Sequence, residues 1–202
     1  MKKSLLLLGA FFTAAVFAVC FAKPLFNGKN LDGWKVHGTE LWYVDNGEMV
    51  CESGPDREYG YLATDKKYKN FVLTLEFMPI ENGNSGVFVR SNLDGTDIKG
   101  WQSEVAPAFS GGIYESGGRG WIALPNEEET KKLLKHGQWN TMKIRVEGDN
   151  IKTWLNGKPI TDLTDETFGK GDGVIALQIH SVSPNDPIVK LRWRNIEIEE
   201  LP

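Results

Sequence analysis

Short runs in which apolar and polar residues alternate make up most of the chain after residue 22. The runs are punctuated by Gly, Asn and Asp, which favour turns. Alternation is the period of a strand with one buried face. Many short strands at this spacing predict a sandwich, a jelly roll or a barrel. Tight hairpins are expected at Asn46–Gly47, Asp149–Asn150 and Asn156–Gly157.

One segment departs from the alternation and predicts a short surface helix over residues 127–135. Asn126 is a favourable N-cap, acidic residues fill the first turn, and basic residues follow toward Gly137. No internal repeat, low-complexity tract or linker interrupts the sequence after residue 22. The pattern therefore predicts a single all-β domain over residues 23–202.

The first 22 residues are expected to form a secretory signal peptide. Residues 1–3 are a short basic start, and residues 5–19 are an apolar run too short for a membrane span. The alternative takes FAVC as a lipoprotein motif, in which Cys20 becomes a lipidated N-terminus. Both interpretations predict export to the periplasm, the outer membrane or the medium. After residue 22 no segment is apolar and long enough to cross a membrane.

Charge and cysteine content narrow the function classes. The net charge is -4 and no basic block occurs after the leader, which argues against nucleic acid as a partner. Cys51 would be the one thiol left after cleavage, so no intrachain disulfide is expected.

Three predicted strands carry large hydrogen-bonding groups on the face that alternates with their apolar residues. In VIALQIHS, Leu177 and Ile179 share one face, and the other face carries polar side chains interleaved with small residues. SGVFVRS and GWQSEVA repeat this arrangement. Outward polar residues are the ordinary state of a sandwich. This set mixes amide, acid, imidazole and guanidinium groups, however, and the small residues Gly86 and Ala176 would leave room for a ligand. The candidate site residues are Arg90, Gln102, Glu104, Gln178 and His180.

Tryptophans in Gly-rich loops add a candidate sugar-binding feature. The chain has seven Trp, and a flat ring at a loop edge suits the C–H face of a sugar. Trp121 and Trp154 are candidate stacking surfaces for a sugar, although such rings more often fill a core.

The sequence alone does not decide whether the protein binds a metal ion. Residues 92–97, NLDGTD, carry oxygen ligands at alternate positions around a Gly, as a calcium loop does, but a polar turn is the commoner reading. A divalent ion held by Glu104 and His180 is the other arrangement considered.

Four segments occur in an order that resembles a known family. They are LFNGKNLDGW at residues 25–34, NSGVFVRS at 84–91, GQWNTMKIRVEGDNIKTWLNGKPI at 137–160, and ALQIH with RNIEIEEL near the end. Together they resemble the 3-keto-disaccharide hydrolase domain family over nearly all of the chain after residue 22. The resemblance implies a concanavalin A-like jelly-roll sandwich of two antiparallel sheets. It also implies a secreted bacterial protein that acts on glycosides oxidised at C3.

The chemistry that the resemblance implies depends on that ketone, which acidifies the C2 proton. A base removes the proton, the C1 oxygen is eliminated, and water adds to the enone. His180 or Glu104 would be the base, and Arg90 or a metal would stabilise the enolate. Gln102 and Gln178 would orient hydroxyls. The remaining residues assigned to substrate binding are Tyr114, Glu115, Trp121 and Trp154.

Two other function classes fit the same residues. The first is a conventional glycosidase with a pair of carboxylates, for which Glu104 and Glu115 are the candidate pair. The second is a carbohydrate-binding module without catalysis, because this kind of sandwich is also a lectin scaffold and fold does not determine function.

Overall fold

The computed structural model describes residues 21–80, 83–168 and 171–202. Residues 1–20, which carry most of the predicted signal peptide and Cys20, lie outside the described residues, so the leader stays a prediction. The elements in chain order are β1 (Lys23–Pro24), β2 (Trp34–His37), β3 (Leu41–Asp45), β4 (Glu48–Glu52), β5 (Gly60–Thr64), β6 (Phe71–Pro79), β7 (Ser85–Asp94), β8 (Asp97–Val105), β9 (Ile113–Ser116), β10 (Gly120–Ala123), α1 (Glu127–Leu133), β11 (Asn140–Glu147), β12 (Asn150–Leu155), β13 (Lys158–Thr164), β14 (Val174–Ile179) and β15 (Lys190–Glu200).

The strands form two antiparallel sheets, which confirms the predicted all-β sandwich. Sheet A has the order β13-β12-β11-β6-β15-β4-β3, with β1 also pairing with β15. Sheet B has the order β10-β9-β8-β7-β14-β5-β2. Neighbours in these orders are often distant in sequence, so the sheets depend on long-range pairing. No helix in the described part of the chain is long and apolar enough to cross a membrane.

The core lies between the two sheets and follows the predicted alternation. Every second side chain of β6 is fully buried, from Phe71 to Phe77. Sheet B contributes the facing residues, including Val87, Trp101 and Leu177. Because alternate residues of a strand point to opposite faces, the residues between them in sheet B lie on its outer face.

The structure contains most of the hairpin turns and the helix N-cap that the sequence predicts. Asn46–Gly47 and Asn156–Gly157 are two-residue hairpin turns in which all four residues have positive φ. The third turn lies one residue earlier than predicted, because Glu147 pairs with Asn150. Helix α1 starts as expected, with the Asn126 side chain accepting a hydrogen bond from the Glu129 amide, and ends at Leu133 rather than at residue 135.

Candidate functional site

A cavity of about 700 Å³ opens on the outer face of sheet B. It is crossed by the strand series β10-β9-β8-β7-β14-β5, so side chains from distant parts of the chain meet there. Only β7 separates β8 from β14, which places their backbones roughly 10 Å apart. The lining residues that matter chemically are Tyr59, Tyr61, Asn84, Gln102, Glu104, Phe109, Tyr114, Trp121, Gln178 and His180.

Glu104 lies in this cavity as a buried carboxyl group. Burial raises its pKa to about 7, and a hydrogen bond from Gln102 Nε2 to Glu104 Oε2, 2.5 Å long, opposes the shift. The backbone around it is tied to the following loop, since Glu104 N donates to Gly112 O and Gly111 N donates to Glu104 O. A carboxyl group with this pKa exchanges protons near neutral pH, which suits a general acid or base.

Gln102 covers Gly86 on the neighbouring strand. A Cβ atom on Gly86 would come within 2.4 Å of Gln102 Cδ, so the Gln102 side chain fills the space that this glycine leaves. Ala176 is fully buried in a small apolar cluster with Tyr61, Phe88 and others. The expectation that Gly86 and Ala176 leave room for a ligand is therefore wrong, because protein side chains occupy that space.

His180 follows the end of β14 and is held at both ring nitrogens. Its Nδ1 lies 2.7 Å from the Ser181 carbonyl oxygen, which can only accept a hydrogen bond. Nδ1 therefore carries the proton, and Nε2 keeps a lone pair in the neutral ring. The Tyr59 hydroxyl lies 3.1 Å from Nε2, and in this neutral tautomer the hydroxyl is the donor. The two rings are T-shaped, with centroids 4.7 Å apart.

Two amide oxygens of the cavity have no protein partner among the described residues. They are Asn84 Oδ1 and Gln178 Oε1, and both are buried. An unpaired buried acceptor costs about 1–3 kcal/mol, so a ligand that donates hydrogen bonds would be stabilised here. Sugar hydroxyls are donors of this kind. The Gln178 amide also contacts the Tyr61 phenol, whose pKa burial raises to about 12.

Three rings form one side of the cavity, named here the aromatic wall: Phe109, Tyr114 and Trp121. Tyr114 on β9 pairs directly with Trp121 on β10, and their ring centroids lie 5.5 Å apart. Phe109 also packs against Trp121, with ring centroids 5.3 Å apart. Trp121 is 40% exposed, so a broad apolar surface remains open to a ligand.

Six of the nine candidate site residues line this cavity: Gln102, Glu104, Tyr114, Trp121, Gln178 and His180. The other three, Arg90, Glu115 and Trp154, lie elsewhere. Trp154 is on β12, in sheet A, with the Lys143 ammonium 5.3 Å from its ring centre. It therefore belongs to the opposite side of the sandwich.

The expectation that Arg90 shares the polar face is wrong. Arg90 and Ser91 lie opposite Gly100 alone, which makes a bulge, and Arg90 has a positive φ of 47°. The bulge resets the alternation of β7 and sends the guanidinium away from the cavity. It stacks on Phe168 and donates to Lys69 O, Gly148 O and Asn70 Oδ1.

Glu115 faces away from Glu104. It pairs across the strands with Trp101, a core residue, whereas Tyr114 pairs with Gln102 on the cavity face. Its carboxylate is held by the Arg119 guanidinium at 2.5 Å, and Arg119 also binds Asp165. The proposed pair of Glu104 and Glu115 is thus separated by the sheet itself, which removes it as a glycosidase pair.

Sequence reasoning missed Tyr59, Tyr61 and Asn84. The two tyrosines flank Gly60 in the segment EYGYLA, so they are two residues apart and reach the same face. That spacing was a usable signal. Asn84 immediately precedes β7 in a Gly-rich stretch of the sequence, where no periodicity could predict which way its side chain points.

The described residues contain no group of three or more His, Cys, Asp and Glu side chains arranged to hold a metal ion. Residues 92–97 form the end of β7 and the hairpin to β8, with Asp94 opposite Asp97. Asp97 lies 3.7 Å from the Lys99 ammonium, an ion pair typical of a surface turn.

Residues 22–199 match the model of the 3-keto-alpha-glucoside-1,2-lyase-like domain. The chain belongs to this family. The resemblance seen in the sequence is thereby confirmed, and the family is one of carbohydrate-active domains. Among curated proteins, none matches this sequence.

Solved structures related to this 3-keto-alpha-glucoside-1,2-lyase-like domain share its fold. A candidate glycosyl hydrolase from Parabacteroides distasonis is 25% identical with a TM-score of 0.63, covering 90% of this chain and 100% of that one. A second, from the same organism, is 20% identical with a TM-score of 0.66, covering 90% and 94%. The carbohydrate-binding module CBM66 from Bacillus subtilis is 14% identical with a TM-score of 0.64, covering 83% and 96%.

Proposed function

We propose that the protein cleaves 3-keto-glucosides by removing the C2 proton, eliminating the C1 oxygen and hydrating the resulting enone. The observation that carries this proposal is the order of groups across sheet B. His180 with Tyr59 lies at one side of the cavity, Glu104 lies between, and the aromatic wall lies at the other side. A base, an acid and an apolar surface in that order match the C2–H group, the departing oxygen and the leaving group of a glycoside substrate.

The first step needs a base at C2. The adjacent C3 ketone makes this C–H bond acidic, and its electron pair becomes the enolate as the proton leaves. His180 supplies the base function, because its Nδ1 is committed to the Ser181 carbonyl and its Nε2 lone pair accepts a proton. The Tyr61 phenol supports the enolate as a donor. Burial raises the pKa of this phenol to about 12, so it stays protonated at neutral pH.

The second step needs an acid at the departing oxygen. The enolate re-forms the C3 ketone, a C1–C2 double bond forms, and the C1–O bond breaks. Glu104 gives its proton to the leaving oxygen, and burial, which raises its pKa to about 7, keeps a protonated fraction available near neutral pH. Water then adds its hydroxyl to C1 and a proton to C2, so the overall result is hydrolysis.

Substrate orientation follows from the same order. The keto-sugar would lie near Asn84 and Gln178, whose buried amide oxygens accept its hydroxyl protons. The leaving group would lie on the aromatic wall beyond Glu104. Gln102 holds the Glu104 carboxyl group in place between the two.

A carbohydrate-binding function without catalysis is the second candidate. The exposed aromatic wall favours it, and one protein that shares the fold is a carbohydrate-binding module. Such a module would need Trp121 but would not need the acid–base pair of Glu104 and His180.

Incubation in deuterated water separates these functions. The protein is mixed with a 3-keto-disaccharide or with its unoxidised parent, with and without a chelator. His180→Ala and no-enzyme samples correct for spontaneous exchange next to the ketone. We expect cleavage of the keto-sugar alone, with deuterium at C2 of the released sugar.

Two results would overturn the proposal, and a third would extend it. Cleavage of the parent without exchange would indicate a conventional glycosidase. Binding of either sugar without cleavage would indicate a binding module. Loss of cleavage with chelator would add a divalent metal to the mechanism.

A further inference from the structure

We infer that Tyr59 is the residue that takes the proton from C2, and that His180 acts through it. This inference rests on the proposed function and assigns a role within the same cavity. The observation behind it is that the basic atom of His180 already has a partner. The Tyr59 hydroxyl lies 3.1 Å from His180 Nε2.

The hydrogen bonds of His180 favour proton transfer from the Tyr59 hydroxyl to Nε2. Nδ1 is fixed as a donor by the Ser181 carbonyl oxygen at 2.7 Å. In the neutral ring Nε2 is therefore the acceptor, and the Tyr59 hydroxyl is its donor. A substrate proton would have to displace this hydroxyl to reach the imidazole directly. No displacement is needed if the hydroxyl itself accepts the substrate proton while passing its own to Nε2.

The position of Tyr59 suits this role. Tyr59 lines the cavity and is 38% exposed, so the residue is accessible to a bound ligand. It is held in place by Gly60, which follows it and pairs with Ile179 beside His180. The two rings pack edge to face with centroids 4.7 Å apart, and the hydroxyl lies within hydrogen-bond distance of the imidazole.

The step balances without any added reactant. The C2–H bond breaks and the proton moves to Tyr59 Oη, while the original phenolic proton moves to His180 Nε2. The two electrons of the C–H bond form the C2–C3 double bond of the enolate, and the charge appears on O3. His180 becomes imidazolium, stabilised by its Nδ1–H bond to Ser181 O, and Tyr59 is again a neutral phenol.

The test compares Tyr59→Phe with Tyr43→Phe. Tyr43 is 39% exposed and its hydroxyl also donates a hydrogen bond, to Glu52 at 2.6 Å, but it lies on sheet A away from the cavity. Loss of a proton-transfer group typically costs about 100-fold or more in kcat. We expect that loss for Tyr59→Phe, together with loss of C2 exchange in deuterated water and a KM within about threefold of wild type. Tyr43→Phe should behave as wild type.

The double variant Tyr59→Phe/His180→Ala adds a second readout. Residues that act as one unit lose activity together, so the double variant should be no slower than His180→Ala alone. If Tyr59→Phe keeps kcat within about threefold of wild type while His180→Ala is inactive, the imidazole takes the proton directly and the inference is wrong. If the wild type neither cleaves nor exchanges the keto-sugar, the proposed function fails, and the role of Tyr59 fails with it.

Discussion

The Gln102 side-chain amide donates to Glu104 Oε2 over 2.5 Å, and both side chains are buried. The two effects on the carboxyl group oppose each other. Burial disfavours the charged form and raises the pKa, whereas the Gln102 donor favours the charged form and lowers it. Burial is the larger effect, so the pKa lies at about 7. The proposed acid function of Glu104 therefore depends on how far Gln102 restrains this shift.

The pH dependence of cleavage follows from that balance. A general acid must be protonated, so kcat/KM should fall as the pH rises through about 7. Gln102→Leu removes the donor to the carboxylate, which raises the pKa of Glu104 further. A hydrogen bond to a charged group is worth about 1.5–3 kcal/mol, so the falling limb should move up by about one pH unit or more. A pH–rate profile of both proteins measures this shift.

Gln178→Leu is the control for that profile. Its amide contacts Tyr61 and is not among the causes of the Glu104 shift. This variant should bind substrate less well while its falling limb stays at the wild-type pH. A limb that moves downward in Gln102→Leu would contradict the acid role of Glu104.

The aromatic wall should bind the leaving group. Trp121→Ala removes an exposed ring that packs on Phe109 and Tyr114. Stacking of this kind contributes on the order of 1 kcal/mol, so KM for a 3-keto-disaccharide should rise about five- to tenfold with little change in kcat. With methyl 3-keto-glucoside, which has no second sugar, the effect should disappear.

Trp154→Ala is the matched control, because Trp154 lies on the outer face of the other sheet. Its KM should equal that of wild type for both substrates. Equal losses in Trp121→Ala for the disaccharide and the methyl glycoside would show that the wall binds the keto-sugar instead.

Glu115 should be dispensable for turnover. Its carboxylate lies on the side of sheet B away from Glu104 and binds Arg119, which is itself bound to Asp165. Glu115→Gln should keep kcat within about twofold of wild type and lose less than about 1 kcal/mol of stability, as expected for a partly exposed ion pair. Glu104→Gln should abolish cleavage. An inactive but stable Glu115→Gln protein would revive the paired-carboxylate mechanism.

Arg90 should matter for stability and not for chemistry. Its buried guanidinium donates to Lys69 O, Gly148 O and Asn70 Oδ1, which lie at the ends of sheet A strands. Arg90→Ala leaves these acceptors without their charged donor, so unfolding free energy should fall by about 2–4 kcal/mol in a denaturant titration. The fraction that remains folded should cleave at the wild-type rate. A stable Arg90→Ala protein without activity would show that Arg90 takes part in the chemistry.

Glu40 should destabilise the fold at neutral pH. Burial raises its pKa, the Asp56 and Glu58 carboxylates add to the shift, and Glu40 Oε2 lies where a Cβ of Gly60 would be. A raised pKa means that the folded chain binds this proton more tightly than the unfolded chain. The contribution of Glu40 to stability therefore falls as the pH rises above about 4.5, its ordinary pKa.

Glu40→Gln removes this dependence. Its melting temperature at pH 7 should exceed that of wild type, because the neutral amide avoids the cost of burying a charged carboxylate. The difference should vanish as the pH falls below about 4, where Glu40 is protonated in both states. Glu197→Gln, an exposed position on β15, should change nothing at either pH. A melting temperature lower than wild type at pH 7 would contradict the assignment.

The sequence by itself determined the features that depend on one strand or one turn. The alternation in β14 places Leu177 and Ile179 in the core and leaves Gln178 and His180 for the outer face. Asn46–Gly47 and Asn156–Gly157 form the expected turns because these residues adopt positive φ at little cost. Such properties are local, since they follow from the geometry of a few consecutive residues.

Only the tertiary structure decided which of these faces meet. The order β9-β8-β7-β14-β5 joins segments from distant parts of the chain, and no local pattern encodes that order. The same pairing brings Tyr59 to His180 and turns Glu115 away from Glu104. At Arg90 a single bulge reverses the alternation, because an extra residue in one strand shifts every following side chain to the other face. Side-chain period is thus readable from sequence, but strand neighbours and bulges depend on long-range pairing.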